Sequence, residues 1–192
     1  PGRSSGKGRS QEIERRTVLI LLSKPIGRTE LILGKFLGLS AVLGVLVALM
    51  HVIFIIVLSL WQVPAPFSSL LAASFYLFLQ LVLLTAGAIV FGVFTSSLLA
   101  TILTFGMYLM GHFSQDLLRI GEVSKNPGLG RMVTGLYLIL PDLSRLDLKN
   151  DAVYGAAALP DIGTLLFNAI YGFVYTALLL WIAIAVFSRR EF

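Results

Sequence analysis

The chain has 192 residues, of which 57% are hydrophobic and 13% charged, with a mean hydropathy of +0.89. An average soluble domain is about 45–50% apolar and about 25% charged, so a water-soluble core of this composition is excluded. The formal charge of +5 is modest, and the absence of cysteine removes disulfides, thiolate catalysis and cysteine metal sites together.

The charges are unevenly placed. From Phe36 to Gln115 there is no Asp, Glu, Lys or Arg, and His51 and His112 are the only basic side chains. A bilayer core of about 30 Å takes roughly 20 apolar residues per helix, so this stretch is long enough for three crossings. Helices are the only open-ended elements allowed there.

Pro1–Ser10 is rich in Gly, Ser and basic residues, with no apolar run until residue 18. It is therefore not a signal peptide, and opening on Pro rather than Met suggests a truncated chain. Gln11–Leu22 reads as a short amphipathic helix, with Ser10 as its N-cap and Glu12 and Glu14 favourably placed in the first turn. Pro25 and Gly27 end it. A second helix begins near Arg28 and continues, uncharged, through 36–60 as the first membrane span. Trp61, Pro64 and Pro66 form a turn, with the indole at the level of an interfacial anchor.

The second span is expected at about 68–94 and the third at about 97–113, joined only by Thr95 and Ser96. The segment 116–163 holds six acids mixed with Arg119, Lys125, Arg131, Arg145 and Lys149, so it meets water. Its apolar piece, Met132–Leu140, covers about 14 Å as a helix, which suits an outer interfacial or re-entrant element better than a crossing. The fourth span is expected at about 164–187. The chain thus divides into a segment 1–35 outside the bilayer and a transmembrane domain 36–192, an all-α polytopic bundle. Eight Lys and Arg precede the first span, none lie in the first turn, five follow the third span and two follow the fourth. By the positive-inside rule both ends are cytoplasmic in the plasma, or inner, membrane.

Small residues at four-residue spacing let helices approach. Gly34 and Gly38 form one such ladder, Ser40, Gly44 and Ala48 a second, and Ala88, Gly92, Ser96 and Ala100 a third that the turn near Thr95 interrupts. No GxxxxGK[ST] phosphate loop, metal-spaced His pair or facing acidic pair occurs, so no autonomous enzyme is expected. His51, Gln80 and Asn168 are the polar groups inside spans, read either as interhelical hydrogen bonds or as pathway residues, the former being the commoner case. Met107, Met110 and His112 fit monovalent copper by ligand type, but residues 107 and 112 lie far apart around a helix.

The charged helix before the first span reads in isolation as an interfacial helix on anionic lipid. Its residues add to that reading. Glu12-Ile13-Glu14-Arg15-Arg16-Thr17, then Leu21-Leu22-Ser23-Lys24-Pro25-Ile26-Gly27-Arg28-Thr29-Glu30 and Gly34-Lys35-Phe36, resemble a stretch of ABC-2 type permeases. Leu140-Pro141-Asp142-Leu143 and the closing Phe187–Phe192 resemble later parts of the same family, including the subgroup of multicopper-enzyme maturation permeases. The resemblance implies that Gln11–Leu22 is the cytoplasmic coupling helix that docks on an ABC ATPase subunit. The coupling residues it implies are Glu12, Glu14, Arg15, Arg16, Thr17, Pro25 and Arg28.

A separate subunit would then hold ATP and magnesium, this chain would bind no cofactor, and a second permease half would complete the exporter. Partners are these proteins and the lipid bilayer, with no nucleic acid. The family has six membrane helices and this chain shows four, so the first two are missing from the N-terminal side. The alternatives are a polytopic scaffold or complex subunit with no ATP coupling, and an ion-coupled carrier using His51. The carrier is disfavoured because no carboxylate lies within a span.

Overall fold

The structure, a computed structural model, describes residues 27–62, 66–113, 128, 135 and 140–189. Among the described residues all regular elements are helical. They are α1 (Arg28–Leu60), α2 (Phe67–Phe94), α3 (Ser97–His112), a 3-10 turn at Leu143–Leu146, α4 (Lys149–Val153), a second 3-10 turn at Ala156–Ala158, and α5 (Ile162–Arg189). The expected all-α bundle is therefore what forms. α1, α2 and α5 are each long and apolar enough to cross a membrane. α3 has 16 residues and covers about 24 Å, less than the roughly 30 Å of a bilayer core.

The ends of these helices follow from local chemistry. At the start of α1 the Glu30 carboxylate accepts the Gly27 N–H at 3.3 Å, satisfying one of the donors that a helix N-terminus leaves unpaired. α1 stops where Gln62 takes a left-handed φ of 52°, which places the exposed Trp61 at the end of the span. α2 closes when Thr95 leaves helical geometry, its amide and hydroxyl both donating to the Phe91 carbonyl at 2.9 Å. Only Thr95 and Ser96 separate α2 from α3, and α3 folds back along α2 so that Met107 meets Gly87.

α2 is the central helix, packing against α1, α3 and α5. Leu79, Leu83, Ala86 and Val90 are buried at helical spacing. One apolar cluster joins Ile32 and Phe36 of α1 to Val82, Ala86 and Ile89 of α2 and to Leu180 and Ala183 of α5. A second joins Tyr76, Leu83 and Met107 to Leu143, Leu146 and Leu148. Segment 140–161 thus caps the end of the bundle where α2 begins and α3 ends. Its attachment is also polar: the Ser69 hydroxyl is shared between the carbonyls of Pro66 (2.9 Å) and Ala152 (2.8 Å), and the Tyr76 hydroxyl donates to the Leu165 carbonyl.

The small-residue ladders separate. A Cβ on Gly44 would come within 3.2 Å of the Phe78 ring, so the ladder of Ser40 and Gly44 faces α2. Gly34 and Gly38 have open space at the Cβ position. Beyond Ser40 no residue of α1 is buried, leaving most of this helix to its surroundings.

Candidate functional site

The polar groups placed inside spans by the sequence fall on different faces. His51 Nδ1 and Ser74 Oγ are 2.6 Å apart and join α1 to α2. The Ser74 hydroxyl also donates to the Leu70 carbonyl at 2.9 Å. Its single proton is then committed, so it accepts from Nδ1–H, and Nε2 is left as a buried acceptor with no partner. His51 thus joins α1 to α2 by a side-chain hydrogen bond.

Gln80 lies six residues beyond Ser74, about 120° around the axis of α2, so it does not share a chamber with His51. It is 2% exposed and neither amide atom has a hydrogen-bond partner. Tyr76, one turn earlier on the same face, is engaged with Leu165. A buried amide left unpaired costs about 1–3 kcal/mol, which distinguishes Gln80 from a side chain serving as glue. Asn168 is half-buried in the first turns of α5.

The cap contains polar structure that sequence patterns did not reveal. Asp142 is 3% exposed, yet both carboxylate oxygens are occupied: Ser144 Oγ donates to Oδ1 at 2.5 Å and Arg145 Nε to Oδ2 at 3.0 Å. The Asp142 N–H donates to the Tyr171 hydroxyl at 2.9 Å, and the Arg145 guanidinium stands 5.6 Å from the Tyr171 ring centroid. A buried charge is tolerated when paired and hydrogen-bonded in this way. The Pro141-Asp142-Leu143 stretch is wholly buried, and a Cβ on Gly111 would lie 2.7 Å from the Pro141 carbonyl oxygen, so α3 and the cap touch backbone to backbone.

His112 pairs with Asp147 and stacks on Tyr108, while Met107 packs into Gly87 of α2. The thioether and imidazole therefore serve different contacts. Among the described residues no group of three or more His, Cys, Asp or Glu is arranged to hold a metal. The expected coupling residues Glu12, Glu14, Arg15, Arg16, Thr17 and Pro25, with the helix expected at Gln11–Leu22, lie outside the described residues, as does most of Met132–Leu140. Arg28 is the first residue of α1, and its side chain is likewise outside what is described.

Membrane-length helices around a central α2, a capped end and, among the described residues, no assembled reaction centre describe a conduit or a scaffold. Comparison with protein families decides between these at the level of family: residues 10–192 match the ABC-2 family transporter protein family. The chain belongs to the ABC-2 transporter family. No curated protein and no solved structure matches it. It is accordingly an integral membrane protein and a transport permease. The ABC-2 match begins ahead of Glu12 and so includes the charged segment before α1 as well as the membrane helices.

Proposed function

We propose that the chain is the permease subunit of an ATP-driven exporter, forming the substrate path and receiving its driving force from a separate ABC ATPase subunit. The observation that carries this reading is the family match over 10–192, which includes Glu12, Glu14, Arg15, Arg16 and Thr17. ATP and magnesium belong to the partner, and a second permease half completes the path.

In this mechanism ATP closes the ATPase dimer, which moves the charged segment 11–22, and Pro25 and Gly27 pass that motion to Arg28 at the foot of α1. α1 runs unbroken to Leu60, so it acts as a lever. Ile32, Phe36 and Ser40, together with the His51–Ser74 bond, link it to α2. Motion at the foot is then transmitted to the helix that touches all the others. Gln80, the buried amide with no partner, is the pathway residue.

The proposal includes a fourth crossing, through α3 and Phe113. Its support is the Ser69–Ala152 hydrogen bond, which holds the cap at the end of the bundle where α2 begins. After Ser96 at the other end of α2, the chain must return to that end. Both termini of the chain then lie on the cytoplasmic face.

Reversing the charges with Glu14→Arg and Arg15→Glu tests the coupling assignment. The expected result is loss of association with the ATPase subunit and of coupled transport, with the permease still folded. Retention of both association and transport would overturn it.

A further inference from the structure

Lys35 stands on α1 between the buried Ile32 and Phe36 contacts, is itself exposed, and has no ion-pair partner among the described residues. The nearest acid in sequence, Glu30, is turned to the Gly27 amide. Two grooves meet at this lysine and share a floor made by Ala88 and Gly92 of α2. One, of about 570 Å³, runs between the foot of α1 and α3, walled by Ala100, Thr101 and Thr104. The other, of about 360 Å³, runs toward the end of α5 and is walled by Leu39, Val93 and Phe187. The floor is open, because a Cβ on Gly92 would meet nothing within 4 Å.

The threonines of the walls have committed donors, while Ser97 and Tyr108 add hydroxyls to the larger groove. Thr85 donates to the Leu81 carbonyl at 2.8 Å, Thr101 to Ser97 at 3.0 Å and Thr104 to Ala100 at 2.8 Å. The threonine protons are committed within their own helices, so the smaller groove offers apolar surface and oxygen lone pairs, the larger adds the Ser97 and Tyr108 hydroxyls, and the cation stands at the junction. A ligand matching this is anionic at one point and branches into two apolar arms. A lysine near the end of a span also extends its ammonium to the headgroup level while its stem lies along apolar surface.

We propose that Lys35 and these two grooves hold one anionic diacyl phospholipid of the leaflet at which α1 begins, with its phosphate on Nζ and one acyl chain along each groove. The inference rests on the membrane fold alone and stands apart from the reading of ATP coupling.

The test uses the full chain in nanodiscs of mixed phosphatidylglycerol and phosphatidylcholine, with native mass spectrometry counting the lipid retained on gentle activation. The wild-type protein retains one phosphatidylglycerol in preference to phosphatidylcholine. Lys35→Gln removes the charge, and Gly92→Leu fills the shared floor from a position with room for it. Retained phosphatidylglycerol falls at least about tenfold in both, whereas Gly34→Leu, placed in open space elsewhere on α1, leaves it unchanged. Loss in Lys35→Gln but not in Gly92→Leu would mean that the lysine meets only bulk headgroups, and would overturn the site. So would equal retention of both lipids, loss in Gly92→Leu alone, loss in all three variants, or retention in all.

Discussion

His112 Nε2, at the last turn of α3, lies 3.0 Å from Asp147 Oδ2 in the cap. This bond ties a membrane helix to the segment that covers the bundle, and Lys149 Nζ lies 3.6 Å from the same carboxylate oxygen. With Nε2–H donating, Nδ1 is buried without a partner, so the imidazole is held from one side only. Asp147→Asn weakens the bond and Asp147→Ala removes it. The expected cost of Asp147→Ala is about 1 kcal/mol, read as earlier thermal unfolding in detergent and faster amide exchange over 140–161. Unchanged exchange there would show that the apolar contacts of Leu143 and Leu146 hold the cap unaided.

Two glycines that look alike in sequence have different neighbours. A Cβ on Gly111 meets the Pro141 carbonyl oxygen at 2.7 Å and the Leu143 side chain at 2.9 Å. A Cβ on Gly87 meets only the end of the Met107 side chain, which is flexible and can swing away. Gly111→Ala is therefore expected to destabilise by about 1–3 kcal/mol, the range for overpacking against parts that cannot yield, and Gly87→Ala by less. Thermal unfolding of the two variants side by side checks the order, and a larger loss for Gly87→Ala would contradict it.

The three long apolar helices were legible because the charge-free stretch and its breaks are unambiguous. Arg28, Thr95-Ser96 and Pro66 mark helix ends within a residue or two of where the sequence puts them. The cap was not legible: its order comes from Leu143, Leu146 and Leu148, which show no long period, and from single contacts such as Ser69–Ala152 across 83 positions. His112 drew attention as a possible soft ligand, but nothing in its neighbourhood in sequence indicates Asp147. His51 and Gln80 stood out equally as polar residues in apolar helices. Only three-dimensional packing separates the one bonded to Ser74 from the one bonded to nothing.

That separation has an energetic consequence. Ser74→Ala removes the partner of His51 and is expected to loosen the α1–α2 contact by roughly 0.6 kcal/mol, with about 1.7 kcal/mol as the upper end of measured interhelical bonds in membranes. Gln80→Met removes an amide that has no partner and is expected to leave stability equal or higher. Unfolding by denaturing detergent measures both. If Gln80→Met keeps the fold but loses transport, the amide acts on the substrate path; a large loss of stability would show that it is bonded after all.

Asp161 starts α5, accepting the Thr164 hydroxyl at 2.6 Å and the Thr164 amide at 3.2 Å. These bonds, the hydroxyl first, hold its carboxyl below the ordinary value of 3.8. Because the folded value is the lower one, the cap's contribution is complete above the unfolded value and is lost as pH falls through the folded one. The protection factor of the Thr164 amide, its exchange relative to the intrinsic rate at each pH, should be high at neutral pH and fall in strong acid, and Asp161→Ala should show the low factor throughout. A protection factor in the wild-type chain that does not change with pH would contradict this assignment.

The chain contains no cysteine, so single cysteines report topology cleanly. Gln62→Cys and Tyr154→Cys are expected to react with an impermeant thiol reagent from one side of sealed membranes, and Ser96→Cys from the other. Labelling of Ser96→Cys and Tyr154→Cys from the same side would remove the fourth crossing.

The most direct test of the permease reading is to purify the full-length protein gently from its own membranes, identify what comes with it by mass spectrometry, and assay ATP hydrolysis in the eluate. A stoichiometric nucleotide-binding subunit with ATPase activity is the predicted result. A folded oligomer of this chain alone, silent in the ATPase assay, would contradict it and favour a membrane scaffold without ATP coupling.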